Sequence, residues 1–417
     1  MAQPIVIVGA GECGVRAASA IREAGHDGPV TLIGEESHAP YERPPLSKAA
    51  ITDEAAPMPK TIRTTEALAE AGIHFIAHRR VARIDREQTT VVLGDGGTVA
   101  YDKLLLATGA LPRRLPLPGA DGPYTRYLRT FEDSVAIRAE LTPGRRVTII
   151  GGGFIGLEVA ASARQRGAEV TVIEALPRIL SRGVTPEIAE VVAARHAQAG
   201  VTISTGDGIA SIEQTVADVT VTLASGRTIV ADLLIIGIGC VPAAHLADAC
   251  GLEIQNGIAV DATLQTSDPD IFAAGDCCSF PLPIYGGRRV RLESWRSAQE
   301  QGNLAARNLL GQREPVSAIP WVWSDQYDLT LQVAGLIDEG RSQVRRELGD
   351  GTFILFHIAD DGRLVAASGI GKGNAVARDI RLAEMLIAKR AKPTVQQLAS
   401  PDVKLKALLA ATASEAA

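Results

Sequence analysis

Residues 4–14, PIVIVGAGECG, and residues 146–156, RVTIIGGGFIG, give the same folding instruction twice. Each is an apolar run that ends in glycines at GxGxxG spacing: Gly9, Gly11 and Gly14 in the first copy, Gly151, Gly153 and Gly156 in the second. An apolar run without alternation fits a strand buried on both faces, as in a parallel sheet. In the first copy a helix follows, VRAASAIREAG, with Ala17, Ala18 and Ile21 at helical spacing and Gly25 as its stop; a second strand, PVTLIGEE, comes next. Glu35 stands 26 positions after Gly9, and Glu174, at the end of VTVIE, stands 23 positions after Gly151. Each copy is therefore strand, glycine turn, helix, strand and acid, and each is followed by a meander that closes on a short apolar strand ending in glycine. Those meanders are TTVVLGDGGTVAYDKLLLATG, ending at Gly109, and VTVTLASGRTIVADLLIIGIG, ending at Gly239.

One GxGxxG is a common tight turn, but two copies in full frame, each with an acid, read as two dinucleotide sites. The first glycine permits the turn and the second lets backbone approach a pyrophosphate. The third lets helix and strand pack closely, while the helix N-terminus offers free N–H groups to the phosphates. Glu12 and Cys13 lie on the first turn, Phe154 and Ile155 on the second. A carboxylate at position 174 accepts hydrogen bonds from a free ribose 2′-hydroxyl and repels a 2′-phosphate, which favours NADH over NADPH. Arg178 and Arg182 lie slightly further along.

Composition excludes several other classes. The 417 residues are 46% hydrophobic with a formal net charge of −6, which argues against nucleic acid as a partner. No apolar run has the length to span a bilayer, and the N-terminus enters a strand directly, so a cytoplasmic location is expected. The five cysteines, Cys13, Cys240, Cys250, Cys277 and Cys278, form neither a disulfide framework nor a zinc pattern, and no metal is expected.

A third segment, TSDPDIFAAGDC, has a short strand ending at Gly275 and Asp276. Here the chain resembles the two-dinucleotide-domain flavoproteins of the glutathione-reductase type, which implies that Asp276 contacts FAD and that Ala107, Thr108 and Gly109 return the chain from the FAD-binding unit. YERPPLSK (41–48), GGGFIGLE, RLESWRSAQEQGNLAARNLLG (291–311) and PWVWSDQYDLTLQVAG (320–335) narrow the resemblance to NADH-dependent ferredoxin reductases of Rieske dioxygenase and bacterial haem monooxygenase systems. The resemblance implies an α/β fold with two Rossmann-like domains. The FAD domain is discontinuous, 1–114 and 245–319; the NAD domain, 115–244, is inserted; an α+β C-terminal domain spans 320–417. In that last domain strands are expected at 353–359 and 364–370, then a helix over 375–390, while the terminal ATASEAA is expected to be disordered.

The same resemblance implies FAD contacts from Gly9, Gly11, Glu12, Cys13, Gly14, Glu35, Arg43, Lys48, Ala107, Thr108, Gly109, Arg129, Gly275, Asp276, Glu293 and Trp295. For NAD it implies Gly151, Gly153, Phe154, Ile155, Gly156, Glu158, Glu174, Arg182 and Gly239. The catalytic pair is expected to be Lys48, reaching the flavin from the other domain, and Glu158, in the first turn of the NAD-binding helix; the alternative is a surface salt bridge. Cys13, at a helix N-terminus, is either a thiol of lowered pKa or a small residue in a tight turn.

Disulfide-reducing relatives keep cysteine in the loop after the first unit, yet SHAPYERPPLSKAAITDE has none. The expected route is hydride from NADH to FAD, then single electrons to an acidic [2Fe–2S] ferredoxin. Docking candidates are Arg288, Arg289, Arg291, Arg307, Lys372, Arg378, Arg381, Lys389 and Arg390. The chain is expected to be a monomer or homodimer. Reduction of a small acceptor (quinone, monodehydroascorbate or oxygen) and an NADH-responsive flavoprotein of the apoptosis-inducing-factor type remain as alternatives.

Overall fold

The computed structural model describes residues 3–414, in two compact units. The first comprises residues 1–42, 59–111 and 241–320, and the second 43–58, 112–240 and 321–417.

The first unit is built on a parallel sheet in the order Ile271–Ala273, Lys103–Leu106, Ile5–Val8, Val30–Ile33, Ile73–Ile76. The strand Ile5–Val8 is buried throughout, as its unbroken apolar run predicts. The helix Glu12–Glu23 follows the glycine turn, and Trp295–Leu309 packs beside it. Gly302 permits that approach: a Cβ there would lie 2.5 Å from the Cys13 carbonyl oxygen. The meander appears as the antiparallel strands Val81–Asp85, Thr90–Leu93 and Thr98–Ala100.

The second unit repeats this plan. Its parallel sheet runs Thr202–Thr205, Glu169–Glu174, Arg146–Ile150, Leu233–Ile236, Thr125–Arg126, with Phe154–Gln165 as the glycine-turn helix and Ile209–Gln214, Val219–Leu223 and Thr228–Ala231 as the meander. The α/β reading with two Rossmann-like folds therefore holds. This unit also contains a five-stranded antiparallel sheet, ordered Trp321–Gln326, Leu329–Gly335, Leu364–Lys372, Thr352–Ile358, Ser342–Gly349, and the helix Ala377–Ala388. One apolar core joins Ile51, Leu157 and Ile149 to Leu331, Val333 and Phe353, so the C-terminal sheet and the segment 43–58 are packed into the second nucleotide fold.

Residues 411–414 of the expected disordered tail belong to the helix Leu405–Ser414, whose alanines and leucines favour it; residues 415–417 lie outside the described residues. No helix among the described residues is long and apolar enough to cross a membrane, and none of their His, Cys, Asp or Glu side chains cluster as a metal site.

Candidate active site

In both parallel sheets the strand order reverses beside the strand that carries the glycine turn, and the first glycine faces the carbonyl of the neighbouring strand end. A Cβ on Gly9 would lie 2.1 Å from the Ala107 oxygen, and one on Gly151 2.3 Å from the Gly237 oxygen. The third glycines are as tight: Cβ atoms on Gly14 and Gly156 would meet the Gly9 and Gly151 oxygens at 1.9 and 2.1 Å. The second glycines are different. Among the described residues nothing lies within 4 Å of a Cβ on Gly11 or Gly153, and no side chain caps the N-terminus of either helix. These are two cradles shaped for pyrophosphate at topological switch points.

The acids differ between the cradles. The Glu174 carboxylate accepts from the Gly152 N–H at 2.8 Å and the Leu176 N–H at 2.9 Å, which fixes it beside the second glycine turn. Ile173 bonds Gly151 as Ile33 bonds Gly9, so the position matching Glu174 in the first unit is Gly34, and the exposed Glu35 comes one residue later. A Cβ at Gly34 would sit 2.9 Å from the Ala10 side chain, where the second unit has Gly152. Arg178 donates to the carbonyls of Ile179, Ser181 and Val184, so it braces its own loop, while Arg182 is exposed.

Around the first cradle, Glu12 accepts from Trp295 Nε1 at 3.0 Å and Gln299 Nε2 at 2.6 Å. Burial raises its pKa above the ordinary carboxylate range, against those two hydrogen bonds. Gly275 donates its N–H to Gln301 Oε1 at 2.8 Å, placing the half-buried Asp276 after the strand Ile271–Ala273. Thr108 Oγ1 donates to the Ala243 carbonyl, and Gly109 accepts from the Ala243 N–H. Glu293 pairs with Arg291, and in the second unit Gly239 accepts from the Arg113 N–H. Gln299 and Gln301 were not singled out by sequence, although both stand in the RLESWRSAQEQGN stretch that carried the resemblance. The lowered-pKa alternative for Cys13 is corrected: Cys13 is buried, and desolvation, with smaller contributions from Cys277, Asp276 and Glu12, pushes its thiol well above the usual range.

YERPPLSK becomes the short 3-10 turn Pro44–Ser47, and every residue from Arg43 to Met58 belongs to the second unit. Ser134 and Ser162 donate to the Leu46 and Ser47 carbonyls, both at 2.7 Å, and Arg138 donates to the carbonyls of Ala50, Ile51, Glu54 and Ala55. Arg43 Nη1 donates to the Arg129 carbonyl at 2.6 Å, so these two arginines meet inside this unit.

Lys48 Nζ lies 2.9 Å from Glu158 Oε1, and the expectation that this pair would bridge the two nucleotide units is corrected, since both partners are in the second. Glu158 stands on the second turn of Phe154–Gln165 rather than the first and is only 4% exposed. Its Oε2 accepts from Ser47 Oγ at 2.5 Å and its Oε1 from Ser324 Oγ at 2.6 Å. Trp323 places its ring 5.9 Å from the Lys48 ammonium, and Trp321 stacks on Trp323. A buried carboxylate with three donors differs from a surface salt bridge, which water and salt screen. Sequence missed Ser47 and Ser324, although both lie in the motifs quoted above.

Residues 3–302 match the family described as pyridine nucleotide-disulphide oxidoreductase, and residues 321–409 match one described as reductase C-terminal. The chain belongs to the pyridine nucleotide-disulphide oxidoreductase family. It is 42% identical to the ferredoxin–NAD(+) reductase component of an anthranilate 1,2-dioxygenase system from Burkholderia cepacia, over 98% of this chain and 100% of that protein. It is 38% identical to putidaredoxin reductase of Pseudomonas putida, over 99% and 98%. Among solved structures, the covalent putidaredoxin reductase–putidaredoxin complex superimposes with a TM-score of 0.91 at 36% identity, covering 99% of both chains. For an oxidoreductase of this family, the two cradles fit one flavin and one pyridine nucleotide.

Proposed function

We propose that the chain is an NADH-dependent FAD oxidoreductase that passes electrons from NADH to an acidic [2Fe–2S] ferredoxin serving an oxygenase, and that it works in the cytoplasm. The observation that carries this reading is the Lys48–Glu158 cluster, standing where disulfide-reducing members of the family carry cysteine, in a chain with two open glycine cradles. Similarity to reductase components of dioxygenase systems and to putidaredoxin reductase supports it.

Bound FAD supplies the ring that accepts a hydride and releases electrons singly. The chain's own residues do the rest. The Gly11 and Gly153 turns hold pyrophosphates on helix N-termini, and Glu174 takes the ribose of NADH while disfavouring a 2′-phosphate. Phe154 and Ile155 line the nucleotide's path, and Ile155 is 48% exposed as an apolar surface for it. Glu35, Arg43, Arg129, Asp276, Glu293 and Trp295 are assigned to FAD. Lys48 keeps a cation in place beside the reacting centre, and Glu158 with its serine donors fixes that cation's position.

Rapid mixing of the holoenzyme with NADH tests the assignment. Lys48→Ala should slow flavin reduction by about tenfold or more, the loss of roughly 1.4 kcal/mol or more of transition-state stabilisation. An unchanged rate at normal FAD content rules out the catalytic role of Lys48.

A further inference from the structure

Glu158 is the end of a longer buried chain. Ser324 and Gln326 are two apart on the strand Trp321–Gln326, so they share a face, and both are buried, at 1% and 4% exposure. Gln326 Nε2 donates to Ser324 Oγ at 3.1 Å, and Gln326 Oε1 lies 2.8 Å from Nε2 of His196, which is fully buried on the helix Pro186–Gln198. His196 Nδ1 lies 3.3 Å from the Tyr327 hydroxyl.

The proton positions follow from the carboxylate outward. A carboxylate paired with an ammonium only accepts, so the Ser324 proton points at Glu158. Ser324 Oγ is left as acceptor for the Gln326 amide N–H, which turns the Gln326 carbonyl oxygen toward His196. His196 Nε2 must then carry the proton, and Nδ1 accepts from Tyr327. Burial lowers the His196 pKa and raises that of Tyr327, consistent with a neutral imidazole and a protonated phenol. Every donor in the chain points toward Glu158.

We propose that His196, Gln326 and Ser324 are positioning residues: their one-directional hydrogen-bond chain holds Glu158 Oε1 in the orientation that sets the place of the Lys48 ammonium. This rests on the catalytic reading of Lys48 given above. It also assigns a purpose to the WSDQY stretch, in which Trp323 faces the ammonium while Ser324, Gln326 and Tyr327 form the chain behind the carboxylate.

The test uses the holoenzyme and two readouts. Ser324→Ala should slow flavin reduction by NADH by about tenfold, the loss of one hydrogen bond to a charged group, and Gln326→Leu by about threefold, the loss of a neutral hydrogen bond that orients Ser324, both with little change in NADH affinity. Ser324→Thr, which keeps the hydroxyl, should restore most of the rate. In a Lys48→Ala background the Ser324→Ala change should have almost no further effect, because both act through one unit. The second readout is competitive acetylation of Lys48 without NADH, followed by mass spectrometry: labelling should rise in Ser324→Ala and Gln326→Leu and return toward wild type in Ser324→Thr. Additive rate effects, failure of threonine to rescue, or unchanged labelling in both variants overturns the chain. If Lys48→Ala alone leaves the rate unaltered, the catalytic reading fails, and the labelling still decides whether the chain positions Lys48. If Ser324→Ala does not hold FAD, Gln326→Leu carries the same two readouts.

Discussion

His357 is a titratable side chain in a strand where all seven residues are buried, Thr352–Ile358, within hydrogen-bond distance of Ser368 Oγ at 3.1 Å. Burial lowers its pKa from 6.5 to about 4, opposed weakly by Glu187. The folded state therefore refuses a proton that the unfolded chain accepts, so the contribution is fully present above pH 6.5 and is lost as the pH falls toward about 4. The shift corresponds to about 3 kcal/mol at most. His357→Gln keeps a hydrogen-bonding group without the titration. Its urea midpoint should fall less than wild type between pH 7 and 4.5, by roughly 2 kcal/mol of stability; parallel curves exclude His357 as the source. His196 shifts in the same direction for the same reason and adds to the acid limb. Neither histidine announces this in sequence, because burial is set by strands and helices far from each in the chain.

At the scale of elements, the glycine turns separate two kinds of glycine that the motif alone presents as equals. Gly156→Ala drives a Cβ to 2.1 Å from a backbone oxygen, so the helix must leave the strand, whereas Gly153→Ala, with φ of −83° and open space, costs the fold little. Gly153→Ala should melt close to wild type yet raise the KM for NADH at least about tenfold by filling the pyrophosphate cradle, and Gly156→Ala should lose several degrees of melting temperature. Equal melting of the two variants contradicts this division of roles. Both turns were legible because strand, turn and helix are contiguous and the third glycine packs on the first within the motif, whereas the approach of Gly9 to Ala107 and of Gly151 to Gly237 is long-range and was not. The first unit's acid is spaced differently from the second's: the loop before Val30–Ile33 is longer, so the position matching Glu174 is Gly34 and Glu35 follows it. For YERPPLSK the pairing of Lys48 with Glu158 was legible, but the groups that seat its backbone were not. Its anchors, Ser134, Arg138 and Ser162, are ordinary residues of two helices some ninety to one hundred and fifteen positions away.

At the scale of the whole molecule, an electron carrier must meet its partner through a surface, and if the ferredoxin is acidic, as proposed, a chain of net charge −6 meets it only through a local excess of positive charge. Several of the basic residues that sequence put forward have commitments of their own. Arg289 donates to the Val260 and Ser279 carbonyls, Arg291 pairs with Glu293, Arg307 with Glu314 and Arg381 with Glu384. The three arginines paired with glutamates add little net field, while Arg289, bonded to neutral carbonyls, keeps its charge, so attraction should be modest in strength but still screened with a Debye length of about 10 Å at 0.1 M salt. Reduction of the ferredoxin by NADH through this enzyme should therefore slow as salt rises from 0.02 to about 0.5 M, by about tenfold, through a slower encounter rather than slower chemistry. Ferricyanide, a small acceptor that needs no docking surface, serves as the control. Its reduction should change much less over the same range, because the Lys48–Glu158 cluster proposed to serve hydride transfer is largely buried. Equal salt dependence for both acceptors places the effect on the nucleotide step, and flat curves for both mean that docking is not electrostatic.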